Sequence, residues 1–249
     1  MKRLARPTLL LTPSKAPGFS KLGGEPELPE GIGWPVSEGR TSAFLVQLDL
    51  AEVRAAGGPE WLPDTGALYA FNDDERYGFR DHVQVLFSSD PASRGLTPAP
   101  SDLAAKHRFG ERRVDFLRLI SVPSLDWLNV DPREVDLSDE DLDELADATN
   151  APFGDELQHR IGGYPSEIQN GSMALACEQL ARGLDPDTGD EPTPAIERAS
   201  KDWRLLLQVD SDPALKMNFG DGGRLYVFIK GRHARAGVFS KTVSIWQTY

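Results

Sequence analysis

The feature that most constrains this chain is self-similarity. Leu22 to Pro26 reads LGGEP and Ile161 to Pro165 reads IGGYP, while Phe44 to Leu50 reads FLVQLDL and Leu205 to Ser211 reads LLLQVDS. Asp64 to Phe71 (DTGALYAF) returns at Asp221 to Phe228 (DGGRLYVF), and Val83 to Phe87 (VQVLF) is answered by Val243 to Gln247 (VSIWQ). The offsets are 139, 161, 157 and 160, so the blocks keep their order and, after the first, nearly their spacing. One short match carries little weight, whereas four in register imply an internal duplication in which one supersecondary unit is used twice.

The step from 139 to 161 places 22 additional residues in the second copy, between Pro165 and Gln208. They include an Ala- and Leu-rich helix near Ser172 to Arg182, closed by Gly183, and then a loop from Leu184 to Pro194. The chain divides into copy one to about residue 125, a helical acidic connector over about 126–155, and copy two over about 156–249. Each copy is marginal as a domain alone, so the two are expected to pack as a single pseudo-symmetric body.

Within the repeated blocks, alternation puts Phe44, Val46 and Leu48 on one strand face and Leu45, Gln47 and Asp49 on the other. Leu205, Leu207 and Val209 against Leu206, Gln208 and Asp210 repeat that split. The LYAF and LYVF blocks are apolar throughout, as in strands covered on both faces. Arg112 to Val122 is a further predicted strand. Short helices are predicted over Leu50 to Ala56, stopped by Gly57, Gly58 and Pro59, and around Pro194 to Lys201. Strands joined by turns, with helices gathered at the periphery, give an α+β fold of mainly antiparallel β-sheet.

The segments LGGEPELPEGIGWP, AFLVQLDL, LPDTGALYAF, IGGYPSEIQ, WRLLLQVDSD and FGDGGRLYVFI, in that order, resemble the motifs of the YwqG-like family of bacterial proteins, a domain of unknown function. The resemblance runs from Lys21 to Gln247 and implies an α+β fold with no established activity. Phe219, ahead of Gly220 and Asp221, departs from the tryptophan expected there in many relatives.

Charge narrows the function classes. Lys and Arg number 27 against 39 Asp and Glu, a net charge of −12. Nine acids lie from Asp131 to Asp147 against Arg133 alone, whereas only bases occur before Glu25 and after Asp221. An acidic chain repels polyanions, so no nucleic-acid partner is expected. The apolar run Leu9 to Leu11 closes at Thr12 and Pro13, far short of the ~20 residues of a membrane span, and no membrane partner or secretion signal is expected. Cys177 is the single cysteine, which excludes a disulfide scaffold and makes the cytoplasm the expected location.

The acidic stretch reads as a helix. Ser138 is its N-cap, Asp139, Glu140 and Asp141 meet the positive end of the dipole, and Leu137 can staple to Leu142. Leu142, Leu145, Ala146 and Thr149 form the buried stripe, and Glu140, Asp143, Glu144 and Asp147 form an outer face. That face is either solvated surface or a dock for a basic protein.

Among polar residues, Gln47 with Asp49 and Gln208 with Asp210 share strand faces at about 6.6 Å spacing. Around one pseudo-twofold cleft they would offer two amides and two carboxylates to a polar ligand. Alternatively, Asp49 caps the helix from Leu50, Asp210 precedes the Ser-Asp-Pro turn at 211–213, and the glutamines satisfy buried backbone groups. Asp64 and Asp221 open glycine-containing turns, and Asp221 with Asp49, Asp64 or Asp210 is the carboxylate set from which a hydrolase can be built. Trp34, beside Pro35, is either a ligand platform or a loop anchor.

Asp185, Asp187, Asp190 and Glu191 miss the calcium-loop pattern, because Gly189 precedes Asp190 and Ile196 holds the twelfth position. His82, His107, His159 and His233 lack zinc-ligand spacing, GDGG at 220–223 lacks the phosphate-loop context, and there is no GxSxG elbow. No metal and no cofactor are expected. Three readings remain: a non-enzymatic module for a small polar ligand or a protein partner, a carboxylate-based hydrolase, or an acidic partner that neutralises a basic protein.

Overall fold

Runs rich in β-branched and aromatic residues become strands here, and clusters of Gly, Pro and Asp separate them. The computed structural model describes residues 4–72, 78–79, 83–90, 94–128, 138, 140, 141, 144, 157–169, 171–188 and 192–249. Their strands are β1 (Arg6–Pro13), β2 (Lys21–Leu22), β3 (Glu27–Pro29), β4 (Val36–Ser37), β5 (Arg40–Thr41), β6 (Ala43–Asp49), β7 (Ala67–Asn72) and β8 (Gly78–Phe79). There follow β9 (Val83–Ser88), β10 (Arg94–Leu96), β11 (Arg112–Ser121), β12 (Arg160–Gly162), β13 (Trp203–Asp210), β14 (Arg224–Lys230) and β15 (Val243–Gln247). The helices are α1 (Leu50–Ala55), α2 (Leu125–Leu128), α3 (Met173–Ala181), α4 (Pro194–Ser200) and α5 (Gly231–Arg235).

Eleven strands form one sheet in the order β8-β15-β14-β13-β12-β1-β11-β2-β6-β7-β9, with antiparallel pairing throughout the described residues. The α+β expectation of a mainly antiparallel sheet therefore holds. Outward from the central β1–β11 pair, one flank runs β12, β13, β14, β15 and the other β2, β6, β7, β9. Arg160 faces Gln208, which faces Tyr226; Lys21 faces Gln47, which faces Tyr69. The ends of the order come together, since Val83 N–H donates to Ser244 Oγ at 3.0 Å and the Phe87 and Phe239 rings lie 5.0 Å apart.

One core is shared by both flanks and includes Leu9, Leu22, Leu45, Leu48, Leu206, Val209 and Trp246. Two further clusters are separate from it. Tyr164, Cys177, Trp203, Tyr226 and Phe228 make one of them, and Phe19, Phe44, Tyr69 and Phe71 make the other. Strict alternation grouped Phe44 with Val46 and Leu48, and the structure corrects this. Register shifts between Phe44 and Val46, and between Leu205 and Leu207, break the period of two. Leu45, Val46 and Leu48 enter the shared core, while Phe44 joins Tyr69; Leu206 and Leu207 likewise enter it, while Leu205 joins Tyr226.

The helices begin where their capping residues dictate. Asp49 Oδ1 accepts Ala51 N–H at 2.8 Å to start α1, Ser172 Oγ accepts Leu175 N–H at 3.3 Å for α3, and Thr193 Oγ1 accepts Ile196 N–H at 3.4 Å for α4. Of the predicted acidic helix, Glu140, Asp141 and Glu144 are helical, and Ser138 and Asp141 cap each other. Hydrogen bonds from Ser138 hold the Asp141 carboxyl below its ordinary range. Residues 131–137, Asp139, Leu142, Asp143 and 145–150 lie outside the described residues, as do His82, Gly189, Asp190 and Glu191. No helix of the described residues is long and apolar enough to cross a membrane.

Candidate functional site

Gln47 and Gln208 are both buried, and each bonds backbone groups on the two sides of a glycine turn. Gln47 Oε1 accepts Glu27 N–H at 2.8 Å and its Nε2 donates to the Phe19 carbonyl at 2.8 Å. Gln208 Oε1 accepts Ser166 N–H at 3.0 Å and its Nε2 donates to the Gln158 carbonyl at 3.3 Å. Across the sheet, Tyr69 donates to the Glu27 carbonyl at 2.8 Å and Tyr226 to the Ser166 carbonyl at 2.7 Å. Each glutamine therefore ties the segment before its glycine turn to the segment after it.

The turns need that restraint. Gly23 and Gly24 have φ of 58° and 73°, Gly162 and Gly163 of 71° and 73°, and a Cβ on Gly23 would lie 2.0 Å from the Gly110 carbonyl oxygen. A buried cation braces each turn from inside. Lys21 Nζ donates to the Glu25 carbonyl at 2.6 Å, and Arg160 Nη1 to the Tyr164 carbonyl at 3.2 Å. Burial lowers the Arg160 guanidinium to about 9, against the upward pull of Asp210. Sequence reasoning missed these two cations, although the signal is there: Lys21 and Arg160 each stand two residues before a Gly-Gly pair, in KLGG and RIGG.

Three of the carboxylates picked out in the sequence, Asp49, Asp64 and Asp210, are also engaged. Asp49 caps α1 and lies 3.7 Å from Arg94, and the largely exposed Asp64 pairs with Arg54 at 2.5 Å. Asp210 Oδ2 accepts Gln158 N–H at 2.9 Å, while its Oδ1 accepts from Gln208 at 2.9 Å and faces Arg224 at 3.4 Å. Asp221 is exposed in its turn, and its carbonyl accepts Tyr249 N–H at 3.1 Å. Gln208 and Asp210 are thus brought together. Gln47 faces Tyr69 and Gln208 faces Tyr226, and these two tyrosines belong to separate aromatic clusters.

A second buried carboxylate, Asp212, lies beyond this set. Arg112 Nη1 donates to it and His159 Nε2 stands 3.4 Å away. Burial works upward on the Asp212 carboxyl, but the bonds from His159 and Arg112 outweigh it and hold the group at about 2.

Open space lies elsewhere, beside the first glycine turn. A hollow of about 220 Å³ is lined by Gly24, Glu25, Trp34, Phe44, His107 and Phe109. It shares His107 and Phe109 with a wider cleft of about 490 Å³, walled by Asn72, Lys216, Asn218, Phe219 and Trp246. Trp34 is both wall and anchor, since its Nε1 donates to the Ser42 carbonyl at 2.7 Å and its ring meets Phe71 edge-on at 5.5 Å. Phe219 packs edge-on against Phe109 and Trp246, each at 6.3 Å, and its carbonyl accepts Trp246 Nε1–H at 2.6 Å. The aromatic floor therefore holds with phenylalanine at this position.

One group in the wall is unsatisfied. Asn72 Oδ1 is buried and has no hydrogen-bond partner among the described residues. No group of three His, Cys, Asp or Glu among them is placed to hold a metal ion. Residues 20–248 match a family model described as a domain of unknown function, DUF1963. No curated protein matches the chain.

Proposed function

Because the chain belongs to the DUF1963 family, whose function is unknown, no activity comes to it by kinship, and we propose a non-enzymatic module that binds a small polar ligand in the Asn72 cleft. The observation that carries this reading is the unpaired Asn72 Oδ1. A buried acceptor without a donor costs about 1–3 kcal/mol, which a ligand N–H or O–H returns on binding. The aromatic walls select a flat body, and Lys216 and Asn218 offer donors to its polar edge. A planar ring carrying an amide or an amidine-like edge meets these demands.

The corresponding strand orders, bulges and glutamine clamps support an internal duplication in a YwqG-like chain, and its single cysteine, Cys177, supports a cytoplasmic location. The hydrolase alternative is less favoured, because Asp49, Asp64 and Asp210 are committed to caps, ion pairs and backbone bonds.

Thermal unfolding against nucleobases, nucleosides and aromatic carboxamides tests the proposal. A ligand at a hundred times its Kd adds about 2.7 kcal/mol, or roughly 5–10 °C in Tm for a chain of this size. We expect at least one such compound to do so in the wild type and to lose most of the effect in Asn72→Ala. A blank panel, or a hit indifferent to Asn72→Ala, would count against the cleft.

A further inference from the structure

Beside the second glycine turn lies another cavity, of about 490 Å³, whose walls include Arg6, Trp127, Tyr164, Leu175, Glu197 and Lys201. Its place in the fold corresponds to that of the hollow at the first turn. Leu11 N–H donates to the His159 carbonyl and Val114 N–H to the Ser20 carbonyl; five residues before these donors stand Arg6 and Phe109. The residues between the second glycine and the proline, Tyr164 and Glu25, correspond in the same way. An aromatic ring on one flank is thus replaced by a guanidinium on the other.

Arg6 has one donor left over. Its guanidinium lies 4.2 Å from the centre of the Tyr164 ring and interacts with that side chain, yet its Nη1, like Arg94 Nη1 and Arg224 Nε elsewhere, is buried without a hydrogen-bond partner among the described residues. Burial lowers the group to about 10, so it stays charged at neutral pH. A buried charged donor left unpaired is costlier than a neutral one. Among the described residues Glu197 is the one acid in the lining, and no ion pair joins it to Arg6 or Lys201. Further positive potential comes from Lys201, from Arg204, whose charge also presses on Arg6, and from the start of α3, where Ser172, Ala174 and Leu175 reach the wall.

The remaining wall is mostly apolar, with Ser172 and Ser200 as its hydroxyls. Leu4, Trp127, Leu128 and Leu175 surround the space, with Trp127 held edge-on to Tyr164 at 5.7 Å and stacked on Phe228 at 5.7 Å. A hydrated dianion gains little from carbon walls. A single carboxylate on a flat apolar body gains from both halves of the site, because the guanidinium fork matches two carboxylate oxygens and the rings cover the body.

We propose that this cavity is a second binding site, separate from the Asn72 cleft, for small aryl- or alkyl-monocarboxylates, with the carboxylate on Arg6 and the apolar body against Trp127 and Leu175. The full chain is titrated with 3-phenylpropionate, with its uncharged amide and with inorganic phosphate, following indole N–H resonances and Tm. The acid is expected to bind with Kd below about 1 mM, at least tenfold tighter than the amide, while phosphate alone has no effect. Arg6→Met keeps the unbranched stem of the side chain and removes the guanidinium with its unpaired donor. It is expected to retain or raise Tm without ligand and to weaken binding of the acid at least tenfold. Lys201→Ala, at an exposed position, is expected to weaken it a few-fold and serves if Arg6→Met fails to fold. Equal binding of acid and amide, binding of phosphate but not of the acid, no binding of the acid at millimolar concentration, or full binding by Arg6→Met would each overturn the proposal.

Discussion

Replacing Gln47 with leucine is expected to destabilise the chain by about 2–4 kcal/mol, and Gln208→Leu by a similar amount. Leucine fills most of the space, so the cost lies in hydrogen bonding. In the first case Glu27 N–H loses its acceptor and the Phe19 carbonyl its closest side-chain donor; in the second, Ser166 N–H loses its acceptor, and the Gln158 carbonyl loses one donor while keeping Arg160 Nε. At roughly 2–4 °C per kcal/mol, Tm falls by about 5–15 °C, measurable by calorimetry or by urea unfolding. Tyr69→Phe combined with Gln47→Leu should be non-additive, because both side chains hold Glu27. Variants within 0.5 kcal/mol of wild type, the order of an ordinary surface substitution, would show that the glutamines are not structural.

Acid is expected to unfold the chain partly through Asp212. Its carboxyl is held at about 2 in the fold, against 3.8 ordinarily. A depressed carboxylate stabilises the native state fully above the unfolded value, and this stabilisation is lost as pH falls from 3.8 towards 2. The difference is worth about 2 kcal/mol. Asp212→Asn should lose at least that much at pH 7, since Arg112 and His159 are then left facing a neutral amide. Its stability should also fall less steeply than that of the wild type below pH 4. Urea unfolding from pH 7 to pH 3 checks both statements, and parallel pH profiles would refute the role given to Asp212.

Much of this architecture is legible in residue order. The caps Asp49 and Ser172 announce α1 and α3, and Pro194 falls at the first position of α4, because helix termini obey local chemistry. The glutamines were visible as repeated polar positions, and one of their two readings, satisfaction of buried backbone groups, matches where they lie. The bulges at Phe44 and Leu205 escape a period-of-two reading, since one added residue swaps every later side chain to the other face. The central strand β1 escaped too. Its Leu9 to Leu11 run is short and bracketed by Pro7 and Pro13, and only pairing with β11 and β12 makes it a strand. The cavities were not legible at all: Asn72 shares a cleft with Trp246 only because the ends of the sheet come together, and Arg6 reaches Tyr164 only through the pairing of β1 with β12.

That the repeated glutamines hold the glycine turns, leaving ligands to the neighbouring hollows, is tested most directly by amide hydrogen exchange at Glu27 and Ser166. Both N–H groups lie beside short turns, where amides ordinarily exchange fast, and both are here bonded to a buried glutamine. They are predicted to exchange as slowly as the amides of β6 and β13, through global unfolding alone. Exchange as fast as in the exposed turn around Asp221 would contradict the clamp and return Gln47 and Gln208 to the ligand.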